Sequence, residues 1–482
     1  MIGAASGRTG CVWPPLEPHF WVPEAPALID EQTCVTHVAL RQAIAQAPLS
    51  SPAKALVWIL APNSIPAVIG YYAALTAGHA VCPLDPGLGS ERLAALARRF
   101  EPEWVLTPAA CQQPPVPDLV SAPSPIAGLA VWRRPDSLPV SGPIHPDLTL
   151  LLATSGSTGN PRFAALSAAA MAANTQAIIQ VLGIGPQDRA LAHLPLWYSY
   201  GLSVLHSHLA AGGSVVITDR SFLDDALWRL VRVSSVTALA GVPFHWDSLL
   251  RLDLARLAVP SLRLFTQAGG RLAPDRVCRA AEMCARQGGR FHVMYGQTEA
   301  GPRMTTLPAG EAATRPGAVG PALPGGRLEI LTEAGLVAEP GQAGEVIYYG
   351  PNVMMGYAVD RAGLAAGDRL GGRLATGDLG RLEPDGTLIL TGRKRLFAKL
   401  LGVRIDLADV EAAAEPVAPV VAGQEGERLV LVTTEGDPER QRQLRATVIA
   451  ATGLHPGAVI CRGVAAFPHL PNGKIDRRGL FP

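Results

Sequence analysis

A chain of 482 residues, 48% of them hydrophobic, exceeds any single small module and can bury a large core. At roughly 150 residues per domain it predicts about three folding units, or one large unit with a small companion. Lysine and arginine number 41 against 40 acidic residues, a net charge of +1 that argues against a bulk electrostatic grip on nucleic acid or anionic membrane.

The first twenty residues lack a basic start followed by an apolar run, so no signal peptide is expected. The stretch Ala55–Leu84 carries no charged residue. Pro62, Asn63, Ser64 and Pro66 break it, and the remaining run, Ala67–Ala77, is too short to span a bilayer. It reads as strand Leu56–Leu60, buried helix Pro66–Ala77 and strand Ala80–Leu84. A helix at Glu91–Arg99 and a strand at Trp104–Thr107 follow. The Pro- and Ser-rich segment 112–146 reads as a surface excursion. Next come strand Leu148–Ala153, helix Ala165–Val181, strand Arg189–Leu194, helix Gly201–Ala210 and strand Ser214–Thr218. Short apolar strands alternating with helices predict parallel sheets covered on both faces, an α/β architecture.

After Thr305 the texture changes: residues 306–350 are dense in Gly and Pro, with β-type runs at Arg327–Leu331 and Glu345–Tyr349. This predicts a small β subdomain closing the large unit. The basic cluster Arg393-Lys394-Arg395 follows strand Leu388–Leu390. Beyond it lies a compact α+β tail with helix Leu407–Ala414, strand Leu429–Thr433 and helix Pro438–Thr452. The expected domains are 1–394 and 395–482. The cysteines, at 11, 34, 82, 111, 278, 284 and 461, are scattered and form no CxxC pair. Reduced thiols in a cytoplasm fit them better than disulfides or zinc.

Chemistry concentrates first in Thr154-Ser155-Gly156-Ser157-Thr158-Gly159-Asn160-Pro161-Arg162, directly after a strand. Glycines let backbone N–H groups approach an anion and hydroxyls add donors, so such a turn can wrap phosphate oxygens. Composition alone leaves a flexible surface loop equally open. The pattern is neither a Walker A loop nor a dinucleotide fingerprint.

Further motifs follow in order: Tyr295-Gly296-Gln297-Thr298-Glu299-Ala300, Thr376-Gly377-Asp378, Gly392-Arg393, the run Lys399 to Ile405, and Pro471-Asn472-Gly473-Lys474. Together with the Thr/Ser/Gly loop, and with Leu56–Arg92, this series resembles the AMP-forming acyl-adenylate ligases: acyl- and aryl-CoA synthetases, luciferases and peptide-synthetase adenylation domains. The resemblance runs from about residue 25 to the end. It implies ATP and Mg²⁺, with Thr154, Ser155, Gly156, Ser157, Thr158 and Gly159 around the β- and γ-phosphates. Arg162 stands where the family usually has Lys, keeping the charge as a planar fork. Tyr295 and Gly296 resemble the adenine contact, with Gly269 and Gly270 as the backbone edge facing the base. Thr298 resembles an α-phosphate ligand and Glu299 the Mg²⁺ ligand. Asp378 resembles the carboxylate that takes both ribose hydroxyls, although Asp also caps turns, and Arg393 a second contact near the ribose.

Lys474 is the expected catalytic cation, touching acid and α-phosphate together, although Asn-Gly-Lys taken alone suits a β-turn with an exposed lysine. The resemblance makes 395–482 a mobile lid hinged at Arg395, where the family commonly has Asp or Lys. Lys399 and Gly402 would then line the acceptor path. The acid pocket would be formed near Trp197, Tyr198, Phe244, His245 and Gly269; Trp197 and Tyr198 could equally pack in the core. No Asp or Glu lies between His193 and Leu209 to pair an α-ammonium, which points to a fatty or aryl acid rather than an α-amino acid.

The expected reaction is ATP-dependent formation of acyl-AMP, then transfer to a thiol of CoA or of a phosphopantetheine on a separate carrier protein. Transfer to an amine, giving an amide, is the alternative acceptor chemistry. A nucleotide-binding homologue without catalysis is the alternative of another class, and it would show damage at Lys474, Glu299 or Asp378. The chain stops eight residues after Lys474 with no carrier-type Gly-Gly-x-Ser, so any carrier is expected on another chain. No nucleic-acid partner and no membrane span are expected.

Overall fold

The computed structural model describes residues 22–154, 162–393, 397–400, 403–470 and 475–481. Two eight-stranded sheets carry the large N-terminal domain. In the first, strands Arg290–Tyr295, Leu264–Gln267, Ala238–Gly241, Arg189–Ala192, Ser214–Ile217 and Pro26–Ile29 run parallel in that spatial order. Strands Thr305–Thr306 and Cys34–Thr36 close its edges antiparallel. In the second, Leu148–Ala153, Ala80–Pro83, Leu56–Ile59 and Trp104–Pro108 form the parallel centre.

Helices Ile65–Thr76 and Ser199–Ala210 lie in the layer between these sheets, and one core joins both sheets to both helices. That position explains their composition. Neither helix contains Asp, Glu, Lys or Arg, because a charge there would be buried without a partner. Leu202, Leu205 and Leu209 each stabilise the packing by roughly 1.5–3 kcal/mol.

A five-stranded antiparallel sheet, in the order Ala318–Gly320, Leu388–Arg393, Arg373–Leu382, Gly344–Tyr349, Arg327–Leu331, forms the β subdomain. The small C-terminal domain holds the hairpin Phe397–Leu400 and Val403–Asp406, helices Leu407–Ala414 and Pro438–Thr452, and a three-stranded sheet. Its own core includes Ala398, Leu400, Val410, Leu431 and Val448. The expected boundary at 394/395 lies outside the described residues. No described helix is long and apolar enough to cross a membrane. Among the described residues no three His, Cys, Asp or Glu side chains are grouped to hold a metal.

Two local expectations are corrected. The predicted helix Ala165–Val181 is strand Phe163–Ser167 followed by helix Ala168–Leu182. Phe163–Ser167 pairs antiparallel with Leu148–Ala153, and the Ser167 hydroxyl then caps the helix at the Ala170 N–H. Sheet pairing overrides the helix preference of the alanines there. The excursion 112–146 also contributes structure: Leu129–Arg133 pairs with Trp104–Pro108 and buries Leu129, Val131 and Trp132.

Buried histidines are expected to make this fold acid-sensitive. Burial lowers His206 to about 3 and His208 to about 4, so both are neutral near pH 7. The unfolded chain takes up protons below about pH 6.5, whereas the folded chain resists them. The stability from each is therefore intact above that pH and is lost as the pH falls toward the folded value. For His208 the full loss is about 3 kcal/mol. Urea midpoints should fall between pH 7 and pH 4, and fall less steeply for His208→Leu.

Candidate active site

The parallel strands of the first sheet deliver four loops to one rim. Arg189–Ala192 leads to Trp197 and Tyr198, Ala238–Gly241 to Phe244 and His245, Leu264–Gln267 to Gly269 and Gly270, and Arg290–Tyr295 to Gln297–Glu299. The carboxyl ends of parallel strands are the usual place for a ligand crevice. Here they border a cleft of about 2990 Å³ that the β subdomain and the small domain also line.

Asp378, 4% exposed on strand Arg373–Leu382, is the centre of a donor cluster. Its Oδ2 accepts from the Tyr295 hydroxyl at 2.5 Å and from Gln297 Nε2 at 2.6 Å. Its Oδ1 is paired with Arg393 Nε at 2.6 Å, across the register of two antiparallel strands. Gln297 is held in turn by a 2.9 Å bond from Nε2 to the Thr376 carbonyl, and the Asp378 N–H donates to Thr376 Oγ1 at 3.0 Å. Burial and the Asp378 charge push the Tyr295 phenol well above its usual range, so it remains a donor.

Thr298 and Glu299 begin the short turn Thr298–Ala300. Thr298 Oγ1 lies 3.1 Å from Ser199 Oγ, at the start of the inter-sheet helix. Glu299 Oε1 accepts from the Tyr357 hydroxyl at 2.7 Å, and its carbonyl accepts from the Met354 N–H at 2.9 Å. The Arg162 guanidinium lies over the Tyr357 ring, 3.9 Å from its centre. The Thr154 N–H and Oγ1 both donate to the Arg162 carbonyl at 3.1 Å, so the two ends of the Thr/Ser/Gly loop meet at the cleft. Ser155, Gly156, Ser157, Thr158 and Gly159 lie outside the described residues.

Gly269 has φ of +82°, and an added Cβ would meet the Tyr198 hydroxyl at 2.5 Å. Its backbone therefore approaches Tyr198 as only glycine allows. Tyr198, Phe244, Gly269 and Gly270 line the cleft, whereas Trp197 and His245 are not among the described lining residues. Trp197 packs against the core holding Tyr198 and Tyr200. The His245 ring stacks on Phe222, with centroids 4.5 Å apart, and its Nδ1 accepts from the Val242 N–H at 3.4 Å. Burial lowers His245 to about 4, which keeps that nitrogen an acceptor.

From the small domain, His469 and Ile475 pair in an antiparallel bridge, and both line the cleft. The His469 ring is 5.0 Å from that of Phe244. Lys474, Gly402 and Arg395 lie outside the described residues. Lys399 is on the hairpin strand Phe397–Leu400, and its side chain lies outside the described atoms.

A family profile described as AMP-binding enzyme matches residues 23–358. The chain belongs to the AMP-binding enzyme family. Among relatives of this AMP-binding enzyme, sulfoacetate–CoA ligase of Cupriavidus necator is 33% identical over 380 residues, covering 76% of this chain and 73% of that protein. Indoleacetate–CoA ligase of Aromatoleum aromaticum is 31% identical over 58% of this chain and 54% of its own length. Phenyloxazoline synthase MbtB of a Mycobacterium species is 29% identical over 95% of this chain, which spans only 40% of that protein. The chain thus spans about half the length, or less, of several curated relatives it matches. In fold, ATP-bound MatB of Rhodopseudomonas palustris matches with a TM-score of 0.76 over 98% of both chains at 22% identity. The amide bond synthetase McbA of Marinactinospora thermotolerans matches at 0.75 over 94% of this chain and 96% of its own, at 23% identity.

Sequence reading missed several members of the AMP-binding enzyme's cleft. Gln297 stands inside a quoted motif, yet nothing local says that its amide reaches Asp378. Tyr357 and Ser199 carry no motif at all. They are brought to Glu299 and Thr298 by a sheet-edge strand, Gly356–Ala358, and by a helix start.

Proposed function

We propose that this AMP-binding enzyme activates a carboxylic acid with ATP and passes the acyl group to a thiol. The observation that carries this reading is one cleft holding three elements together: the Asp378 donor cluster, the Thr298–Glu299 turn and the closed ends of the Thr154–Arg162 loop. A carboxylate oxygen attacks the α-phosphorus of ATP, and the bond from that phosphorus to the bridging oxygen of the β-phosphate breaks. Pyrophosphate leaves with the electron pair. A thiolate sulfur then attacks the acyl carbon and AMP departs, the thiol having given its proton to solvent.

In this reading Tyr295, Gly296, Gly269 and Gly270 border adenine, and Asp378 with Arg393 takes the ribose. Residues 154–159 take the leaving phosphates, and Thr298 takes the α-phosphate. Asp378 Oδ2 already carries two neutral donors, so the ribose hydroxyls share that oxygen or displace Gln297. Lys474 bridges the two anions; its flanks, His469 and Ile475, line the same cleft. Residues 395–482 act as the lid, hinged at Arg395, with Lys399 and Gly402 on the acceptor path. CoA or a carrier-bound phosphopantetheine is the acceptor, a reading supported by relatives that are CoA ligases. The acid has an aliphatic or aryl skeleton and no α-ammonium, since the cleft wall at Tyr198, Ser199 and Tyr200 carries no carboxylate.

Glu299 fits Mg²⁺. It is a hard carboxylate donor at the cleft with one oxygen oriented by Tyr357, and Mg²⁺ bound to nucleotides uses one or two carboxylates plus phosphates. When bound, the ion neutralises phosphate charge. Tyr357→Phe removes the orienting donor and should raise the magnesium needed for half-maximal exchange about tenfold. A magnesium titration of ATP–pyrophosphate exchange measures it. The reading as a whole is tested by pyrophosphate release across fatty, aryl and amino acids, each with CoA, with an amine, and with neither. Absence of release with every acid would refute it.

A further inference from the structure

Arg303 is a buried cation with no anion beside it among the described residues. It is 3% exposed, four residues beyond Glu299. Its Nη1 donates to the Met294 sulfur at 3.3 Å and its Nη2 to Ser203 Oγ at 3.2 Å. The guanidinium faces the Tyr200 ring at 4.6 Å, and its Nε has no hydrogen-bond partner among the described residues. Every neighbour is neutral, and no carboxylate pairs with it among the described residues. A guanidinium carries five N–H donors in a fixed fork, and burying one without an opposite charge is costly.

Its backbone is held firmly. The Arg303 carbonyl accepts from Asn174 Nδ2 at 2.8 Å and from Asn352 Nδ2 at 2.9 Å, and Asn352 is fixed by Tyr348. Arg303 is among the residues that line both the main cleft and a small cavity of about 20 Å³ walled by Ser207, His208 and Thr266. A pre-positioned guanidinium with no carboxylate beside it among the described residues, on a residue that borders a ligand cleft, suits a planar or tetrahedral anion.

We propose that Arg303 binds a second anionic group, a carboxylate or sulfonate, at the far end of the acid. The inference rests on the acid-activation reading and specifies its substrate class. Helix Ser199–Ala210 supplies the ruler: Ser199 touches Thr298 and Ser203 touches Arg303. Ser199 and Ser203 lie four residues apart, just over one turn or about 6 Å along the helix axis, which a chain of about two to four carbons bridges. The Tyr198 hydroxyl pressed against Gly269 narrows the neighbouring space. The substrate is thus a short dianionic acid, and a cationic α-ammonium would be repelled as well as unpaired.

The test uses the whole purified chain and matched acids: succinate against butyrate, glutarate against pentanoate, sulfoacetate against propionate. ATP–pyrophosphate exchange should favour the dianion of at least one pair by about 100-fold or more in kcat/KM. Arg303→Met should reduce that dianion's kcat/KM about 100-fold, leave the KM for ATP unchanged and narrow the gap to the monoacid. Arg303→Lys should fall between. If Arg303→Met does not fold, the wild-type pairs and Arg303→Lys decide. Monoacids used as well as or better than their dianionic partners would overturn this inference and leave acid activation standing. Exchange with no acid at all would overturn both.

Discussion

Lys474→Ala is expected to lower acid-dependent ATP–pyrophosphate exchange by about 10²–10³-fold, while thioester formation from preformed acyl-AMP stays near wild type. The reason is the charge problem of the first half-reaction. Two anions about 4 Å apart in a medium of effective dielectric near 20 repel by about 4 kcal/mol. A cation touching both offsets a comparable amount, and its removal returns that energy to the barrier. The second half-reaction has no such encounter, because the acid is already joined to the AMP phosphate as a mixed anhydride and its carboxyl group carries no charge. His469 and Ile475, on either side of the segment carrying Lys474, line the cleft beside Phe244. Measured separately, the two half-reactions should diverge. Equal loss in both would remove the assigned role.

Gly296→Ala is expected to abolish the stabilisation of the protein by ATP and to destabilise the fold by about 1–3 kcal/mol. A Cβ at Gly296 would stand 1.8 Å from the Pro302 carbonyl oxygen and 2.8 Å from the Arg303 Cα. Both obstacles are backbone, so no rotamer change relieves the clash. The chain beyond is pinned by Asn174 and Asn352 on the Arg303 carbonyl, so the strain falls on Tyr295 and Gln297. Those side chains supply two donors to Asp378. Melting curves with and without ATP provide the check. An ATP-induced shift of normal size in the variant would separate this turn from the nucleotide.

Much of the cleft was legible in the chain because it is built from short contiguous motifs. Tyr295 to Ala300 forms one strand end and one turn, and Thr376-Gly377-Asp378 lies on one strand. Residue types at fixed spacing suffice there, since the backbone carries them as a unit. What escaped is the set of partners from distant segments. Tyr357 is 58 residues from Glu299, and Ser199 is 99 from Thr298. Ala165–Val181 misled for the same reason: alanines favour a helix locally, and the neighbouring strands Leu148–Ala153 and Gly356–Ala358 claim the first of them for a sheet.

By itself the sequence determined the layered α/β plan, through apolar strands and two helices without a charge, and showed which motifs follow one another along the chain. Only the tertiary structure decided which donors share Asp378, which aromatic orients Glu299, and that Arg303 is buried with no carboxylate beside it among the described residues. Periodicity and local motifs are properties of neighbours in the chain. Charge pairing and desolvation are properties of neighbours in space, and those are set when the two sheets close on the helices between them.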